Sequence, residues 1–134
     1  MKFRDYQANI IERGSKIILE KGFLYLAMEV RTGKTLTSLG IASKIGSSNV
    51  LFVTKKKAIS SIDTDYKLYA PTFGITITNY ESLHKVTGLY DLIVFDEAHC
   101  MGAFPKPSSR AKKAKDLVRK NGCRVILMSG TPSP

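Results

Sequence analysis

Five short apolar runs punctuate the chain: Phe23–Ala27, Val50–Val53, Ile75–Ile77, Leu92–Phe95 and Val125–Met128. Each has the length of a strand, and most lack the polar alternation of a strand with one wet face. That pattern predicts burial on both faces, and hence a parallel sheet covered by helices. Phe23, Tyr25, Phe52 and Phe95 lie inside these runs and are expected in the core. Helical periodicity fills the intervals. Ahead of the first run, Tyr6, Ile10, Ile17 and Ile18 recur at helical spacing, with Asp5 as the expected N-cap and Gly22 just past the C-terminal end. Further helices are predicted over Leu36–Lys44, Lys57–Tyr69 and Ala111–Lys120. Strands and helices alternating in this way define an α/β doubly wound sheet, whose ligands sit beyond the carboxyl ends of the strands.

A chain of 134 residues is long enough for one core, and no repeat, low-complexity tract or internal linker divides it, so residues 1–134 are read as one domain. The loop cluster Phe104–Ser109, with two prolines and two serines, precedes the last predicted helix. Lysine and arginine number 21 against 11 acidic residues, a net charge of +10 that suits a polyanionic partner without specifying one. Cys100 and Cys123 form no C-x-x-C pair, which excludes a zinc ribbon and a disulfide framework and fits a reducing compartment. The charged N-terminus carries no signal sequence, and no apolar run approaches the ~20 residues of a membrane helix, so a soluble intracellular protein is expected.

Candidate chemistry lies where the topology puts it. The first run is followed by Met28-Glu29-Val30-Arg31-Thr32-Gly33-Lys34-Thr35, and this segment leads into the amphipathic Leu36–Ala42. At a strand-to-helix junction the open N–H groups and positive dipole end of the helix converge on an anion. Gly33 allows close backbone approach, Lys34 reaches the β and γ phosphates, and the Thr35 hydroxyl binds Mg²⁺. Thr32 belongs to the same cradle, and Arg31 stands where glycine is frequent, which fits either a distorted loop or an extra cation for phosphate. The loop departs from the full phosphate-loop pattern at Met28, where glycine or alanine is usual.

The fourth run ends in Asp96-Glu97-Ala98-His99. Two adjacent carboxylates at a strand's carboxyl end divide the work of nucleotide hydrolysis: Asp96 holds the metal, and Glu97 orients and deprotonates the attacking water. His99 reads as a link between the nucleotide site and neighbouring motifs, His84 as surface, and Cys100 as a small apolar residue.

With these two motifs placed, the chain resembles the first RecA-like lobe of a superfamily-two helicase or translocase, end to end. The resemblance implies a three-layer P-loop domain with a mainly parallel central sheet flanked by helices, and ATP and Mg²⁺ as cofactors. Arg4-Asp5-Tyr6-Gln7 is similar to the family's glutamine motif, in which Gln7 reads the adenine edge and Tyr6 packs the site. Thr54-Lys55-Lys56 and Thr78-Asn79-Tyr80-Glu81 stand at the family's nucleic-acid-contacting motifs, implying that Thr54, Lys55, Lys56 and Tyr80 touch the nucleic acid. Ser129-Gly130-Thr131-Pro132 resembles the motif that couples nucleotide state to lobe movement, which His99 joins.

Beyond Asp-Glu-Ala-His, residues Lys106, Ser109, Arg110 and Lys113 most resemble the Swi/Snf-like branch, including its compact phage versions. That implies a DNA partner, with RNA open, and the cytoplasm of a bacterial or phage-infected cell. Arg4–Gln7 departs from the pattern at Asp5, and the second-strand motif lacks the branch's usual proline. The resemblance also implies that a second lobe, absent from this chain, completes the hydrolytic site, so this chain alone is expected to bind nucleotide better than it hydrolyses it. Two other functions compete: a P-loop ATPase or nucleotide-switch subunit acting on a partner that is not nucleic acid, and a non-catalytic nucleic-acid-binding module with relic nucleotide motifs.

Overall fold

The computed structural model describes residues 4–27, 33–69, 71–97, 116–120 and 122–129. In chain order the elements are α1 (Asp5–Lys21), β1 (Phe23–Ala27), α2 (Lys34–Lys44), β2 (Asn49–Thr54), α3 (Ile59–Tyr69), β3 (Gly74–Asn79), β4 (Leu92–Phe95) and β5 (Arg124–Ser129). A 3₁₀ turn, Lys56–Ala58, leads into α3, a second 3₁₀ helix, Tyr80–Lys85, follows β3, and residues 116–120 are helical. All five apolar runs are strands. They form one sheet in the order β1-β5-β4-β2-β3, and every pairing is parallel.

The register assigns each side chain to a face, because residues paired across a parallel ladder point the same way. Val50, Phe52, Leu92, Val94, Ile126, Met128, Leu24 and Leu26 pack on one face against α1, α2 and α3. Leu51, Val53, Ile93, Phe95 and Val125 face the other way, toward Tyr80, Leu83, Tyr90 and Leu117. At ~1.5–3 kcal/mol for each large side chain taken fully out of water, these two layers are the main source of stability.

Central strand β4 is buried throughout and β2 from Val50 onward, as continuous apolar runs require. Edge strand β1 alternates instead: Leu24 and Leu26 are inside, while Phe23 and Tyr25 are 47% and 54% exposed. The expectation that both aromatics are core is corrected here, since β1 is an edge strand with only one covered face.

Helix α1 also needs correction at two points. Its N-cap is Arg4, in extended backbone, and Asp5 opens the first turn, where its charge complements the helix dipole. The buried face is Gln7, Ile11, Gly14, Ser15 and Ile18, whereas Tyr6 and Ile17 are about 40% exposed. Apolar periodicity alone misplaces this face because three of its members are small or polar. Gly22 ends the helix as expected, in the left-handed region at φ 76°, with its N–H donating to the Ile18 carbonyl.

Helices α2 and α3, after β1 and β2, lie on the first face, and Tyr80 and Leu83 after β3, with Leu117 ahead of β5, lie on the second. Where they diverge, the carboxyl ends of the strands open into a crevice.

Candidate nucleotide site

Helix α2 begins in this crevice. Its N-cap, Gly33, has φ 71° and ψ 40°, a left-handed conformation that costs a residue bearing a Cβ ~1–2 kcal/mol. Gly33 has no side chain to cap the helix start, and the first-turn N–H groups of a helix point outward, where an anion can bind them. The Gly33 carbonyl is held by three donors: the Thr37 amide at 3.0 Å, the Thr37 hydroxyl at 3.0 Å and Gln7 Nε2 at 3.3 Å. Gln7 is buried, and its Oε1 accepts from the Arg4 amide. The residue expected to read adenine is therefore built into the wall of the loop in this structure.

Lys34, the first residue of α2, is 6% exposed and points across the crevice to the end of β4. Its Nζ donates to Glu97 Oε1 at 2.5 Å and lies 3.2 Å from Asp96 Oδ1. Burial pulls the ammonium down, but the hydrogen bond from Nζ to Glu97 and the charge of Asp96 together outweigh it. The net effect raises Lys34 above its ordinary 10.5, and the side chain stays charged.

Asp96 is 2% exposed and held at several atoms. Its amide donates to the Val53 carbonyl at 2.7 Å, its Oδ2 accepts from Thr54 Oγ1 at 2.8 Å, and its carbonyl accepts from Tyr80 Oη at 2.6 Å. Oδ1 is different: it is buried and ion-paired with Lys34 but accepts no hydrogen bond. Glu97 follows with φ 53°, the one positive φ among the described residues other than glycine.

A cleft of about 210 Å³ collects these groups, lined by Gly33, Lys34, Thr35, Asp96 and Glu97 on one side and by Lys55, Ala58, Ser61, Ile62 and Asp65 on the other. Among the described residues no cluster of three His, Cys, Asp or Glu side chains is arranged to hold a metal on its own. The donor set suits Mg²⁺, which takes one or two protein oxygens and fills its other positions with water and phosphate oxygens. The unsatisfied Oδ1 of Asp96 and the hydroxyl of Thr35 on the same cleft fit that role.

Other expected site residues fall in four groups. Lys55 and Lys56 are exposed after β2, and Lys55 also lines the cleft. Thr54 and Tyr80, expected on the nucleic-acid surface, are corrected by the structure: at 0% and 4% exposure their hydroxyls turn inward to Asp96. Ser129 ends β5 opposite Ala27. Arg31, Thr32, His99, Gly130 and Thr131 lie outside the described residues, as do Met28, Cys100 and most of the predicted helix Ala111–Lys120. His84 is exposed on its 3₁₀ helix, as expected. Burial pushes the half-buried Cys123 thiol up, away from the thiolate form.

Sequence reasoning missed the α3 wall. Ala58, Ser61, Ile62 and Asp65 follow the i, i+3, i+4, i+7 spacing of one helix face, and that spacing groups Asp65 with the other three on the wall of the cleft. Desolvation raises the Asp65 carboxyl above its ordinary 3.8.

This arrangement matches solved structures in fold. The chain superposes with a TM-score of 0.74 on the Sulfolobus solfataricus SWI2/SNF2 ATPase core in complex with dsDNA, at 18% identity, covering 98% of this chain and 32% of that one. It superposes with a TM-score of 0.67 on the ATP-dependent Type ISP restriction-modification enzyme LlaBIII bound to DNA, at 19% identity, covering 98% of this chain and 13% of that one. The fold is therefore a RecA-like α/β one, shared with the matched part of both solved proteins. This chain spans about a third of the first protein's length and a smaller part of the second's. No protein-family model matches the sequence, and no curated protein matches it. Among the described residues no helix is long and apolar enough to cross a membrane.

Proposed function

We propose that the chain is the ATP-binding lobe of a nucleic-acid-dependent ATPase, a Swi/Snf-like DNA translocase or helicase. The observation that carries this reading is the meeting of Lys34, at an uncapped helix N-terminus, with Asp96 and Glu97 at the end of β4, 62 and 63 positions away in sequence. An ammonium raised by two carboxylates is poised to exchange one anionic partner for another. On nucleotide entry Lys34 turns from Glu97 to the β and γ phosphates, and Glu97 is released to accept a proton from water.

Thr35 and Asp96 Oδ1 would hold Mg²⁺, which when bound neutralises negative charge on the phosphates. The α2 N–H groups bind the phosphate chain, and Gln7 fixes the wall of the loop. Arg31 and Thr32 complete the cradle, and Gln7 also reads the base if its amide exchanges partners. His99 and the Ser129-Gly130-Thr131 segment transmit nucleotide state. Lys55 and Lys56, exposed beside the cleft, take the DNA backbone. The two solved structures of this fold, each described with DNA, support that choice of partner. Efficient hydrolysis needs a second lobe, whose arginines stabilise transition-state charge.

Titration of a fluorescent ATP analogue into the chain, with Mg²⁺ present, tests the reading. Saturable binding that Lys34→Ala abolishes is expected, and a wild-type chain that binds no nucleotide would refute it.

A further inference from the structure

Two segments that the sequence assigns to the nucleic-acid face end, in the structure, on one residue of the nucleotide site. Thr54 is the last residue of β2, next to the exposed Lys55 and Lys56, and Tyr80 is the first residue after β3. Both are buried and both donate to Asp96, one to its side chain and one to its main chain.

We propose that Thr54 and Tyr80 are positioning residues for Asp96, and that through them the segments after β2 and β3 set how well the nucleotide site binds its metal. The inference rests on the reading of Asp96 as the Mg²⁺ carboxylate. Thr54 occupies Oδ2 at 2.8 Å, which fixes the carboxylate plane and leaves Oδ1 as the oxygen unsatisfied by hydrogen bonds at the cleft. Without that bond only the ion pair of Oδ1 with Lys34 restrains the carboxylate about its terminal torsion, which is broad and soft.

Tyr80 acts on the backbone. Its hydroxyl pins the Asp96 carbonyl at 2.6 Å, and that carbonyl belongs to the peptide leading into Glu97, which holds the left-handed φ of 53°. A non-glycine residue keeps such a backbone only where its surroundings impose it. The Tyr80 ring is buried in the second apolar layer, which also holds Leu51, Leu83 and Phe95. One tether therefore orients the metal oxygen, and the other holds the peptide joining metal ligand to base.

A purely structural role makes a different prediction from a positioning role. A fluorescent ATP analogue is titrated into the 134-residue chain in Mg²⁺ and again in EDTA, and the ratio of the two Kd values gives the gain due to metal. Thr54→Val should cut that gain about tenfold, the lower end of what loss of an outer-shell partner costs a metal site. Thr54→Ser should restore most of it. Tyr80→Phe should cut it about fivefold, the equivalent of one neutral hydrogen bond.

In EDTA the affinities of all variants should match wild type, with folding checked by circular dichroism melts. If Thr54→Val fails to fold, Thr54→Ser and Tyr80→Phe decide the matter: an undiminished gain in folded Tyr80→Phe overturns the role of Tyr80. Equal losses with and without Mg²⁺ would reduce both residues to scaffolding and overturn the proposal. A wild-type chain that binds no nucleotide in either buffer would refute the nucleotide reading itself and this inference with it. Binding that is intact but indifferent to Mg²⁺ would remove only the metal role of Asp96 and the inference built on it.

Discussion

Gln7 and Gly33 lie 26 residues apart in sequence, and the Gln7 side-chain amide donates to the Gly33 carbonyl. The contact leaves no space for a larger residue in the loop: a Cβ at position 33 would fall 2.3 Å from Gln7 Nε2. Gly33→Ala therefore carries two separable costs, ~1–2 kcal/mol for the left-handed backbone and a displacement of Gln7. In a denaturation cycle with Gln7→Ala, the double variant should recover the steric part and keep the backbone part. Strictly additive values would mean that Gln7 does not pack on the loop.

Lys34 is the only partner compensating the buried charge of Asp96 among the described ion pairs. Lys34→Met should remove nucleotide binding and also destabilise the chain at pH 7 by on the order of 3 kcal/mol, the usual effect of leaving one member of a buried pair uncompensated. In the wild type the sign is set by the raised ammonium. Its stabilising contribution is fully present below 10.5, the unfolded value, and is lost as pH rises through the higher folded value. Urea melts between pH 5 and 11 measure both effects.

Asp96 and Glu97 should separate cleanly in any form of the protein that turns over ATP. Glu97→Gln keeps shape and loses basicity, so binding should persist while hydrolysis falls ~10²–10⁴-fold, the usual worth of a general base. Asp96→Asn should instead weaken only the Mg²⁺-dependent part of nucleotide affinity. Wild-type turnover in both variants would show that neither carboxylate has the assigned role.

Asp65 gives a prediction with the opposite sign from Lys34. Burial raises its folded value above the ordinary 3.8, so the fold prefers the neutral carboxyl. Its contribution is most favourable below pH 3.8 and is lost as pH rises through the folded value, leaving a cost at neutral pH. Asp65→Asn should raise the melting temperature at pH 7, and the difference should vanish below pH 3.8. A lower melting temperature at neutral pH would show that the ionised side chain has a stabilising partner.

What the sequence made legible follows from the range of each interaction. Strands β2 and β4 are readable because a run buried on both faces needs no polar positions, and Lys34, Asp96 and Glu97 stand out because a Gly-Lys-Thr at a helix start and paired carboxylates after a strand are short local patterns. The buried face of α1 is not, because Gln7, Gly14 and Ser15 face inward for reasons of contact and close approach rather than hydrophobicity. The inward turn of Thr54 and Tyr80 is invisible for a related reason. Hydrogen bonds from Thr54 to Asp96 and from Tyr80 to Asp96 span 42 and 16 positions and leave no periodic trace. Phe23 and Tyr25 mislead because an edge strand and a central one share a composition and differ only in neighbours.

The exposed lysines after β2 set the last test. Lys55 and Lys56 project from the carboxyl end of β2, with Lys55 on the rim of the nucleotide cleft. With a net charge of +10 the chain should bind duplex DNA weakly and without sequence preference. Affinity should fall steeply with salt, since each neutralised phosphate contributes about 0.9 to the log–log slope. Lys55→Ala with Lys56→Ala should lower that slope by up to about two units if both side chains meet phosphates. Charge removed at Lys16 on α1, where the side chain is 77% exposed and pairs with Glu12, should leave the slope unchanged. Anisotropy titrations at several salt concentrations on two unrelated duplexes distinguish the two surfaces. Because Lys55 also lines the cleft, saturating Mg-ATP should alter DNA affinity in the wild type more than in the double variant. Equal slopes in wild type and double variant would move the DNA-binding surface away from the end of β2, and would leave Thr54 and Tyr80 holding Asp96 with no nucleic acid beside them to sense.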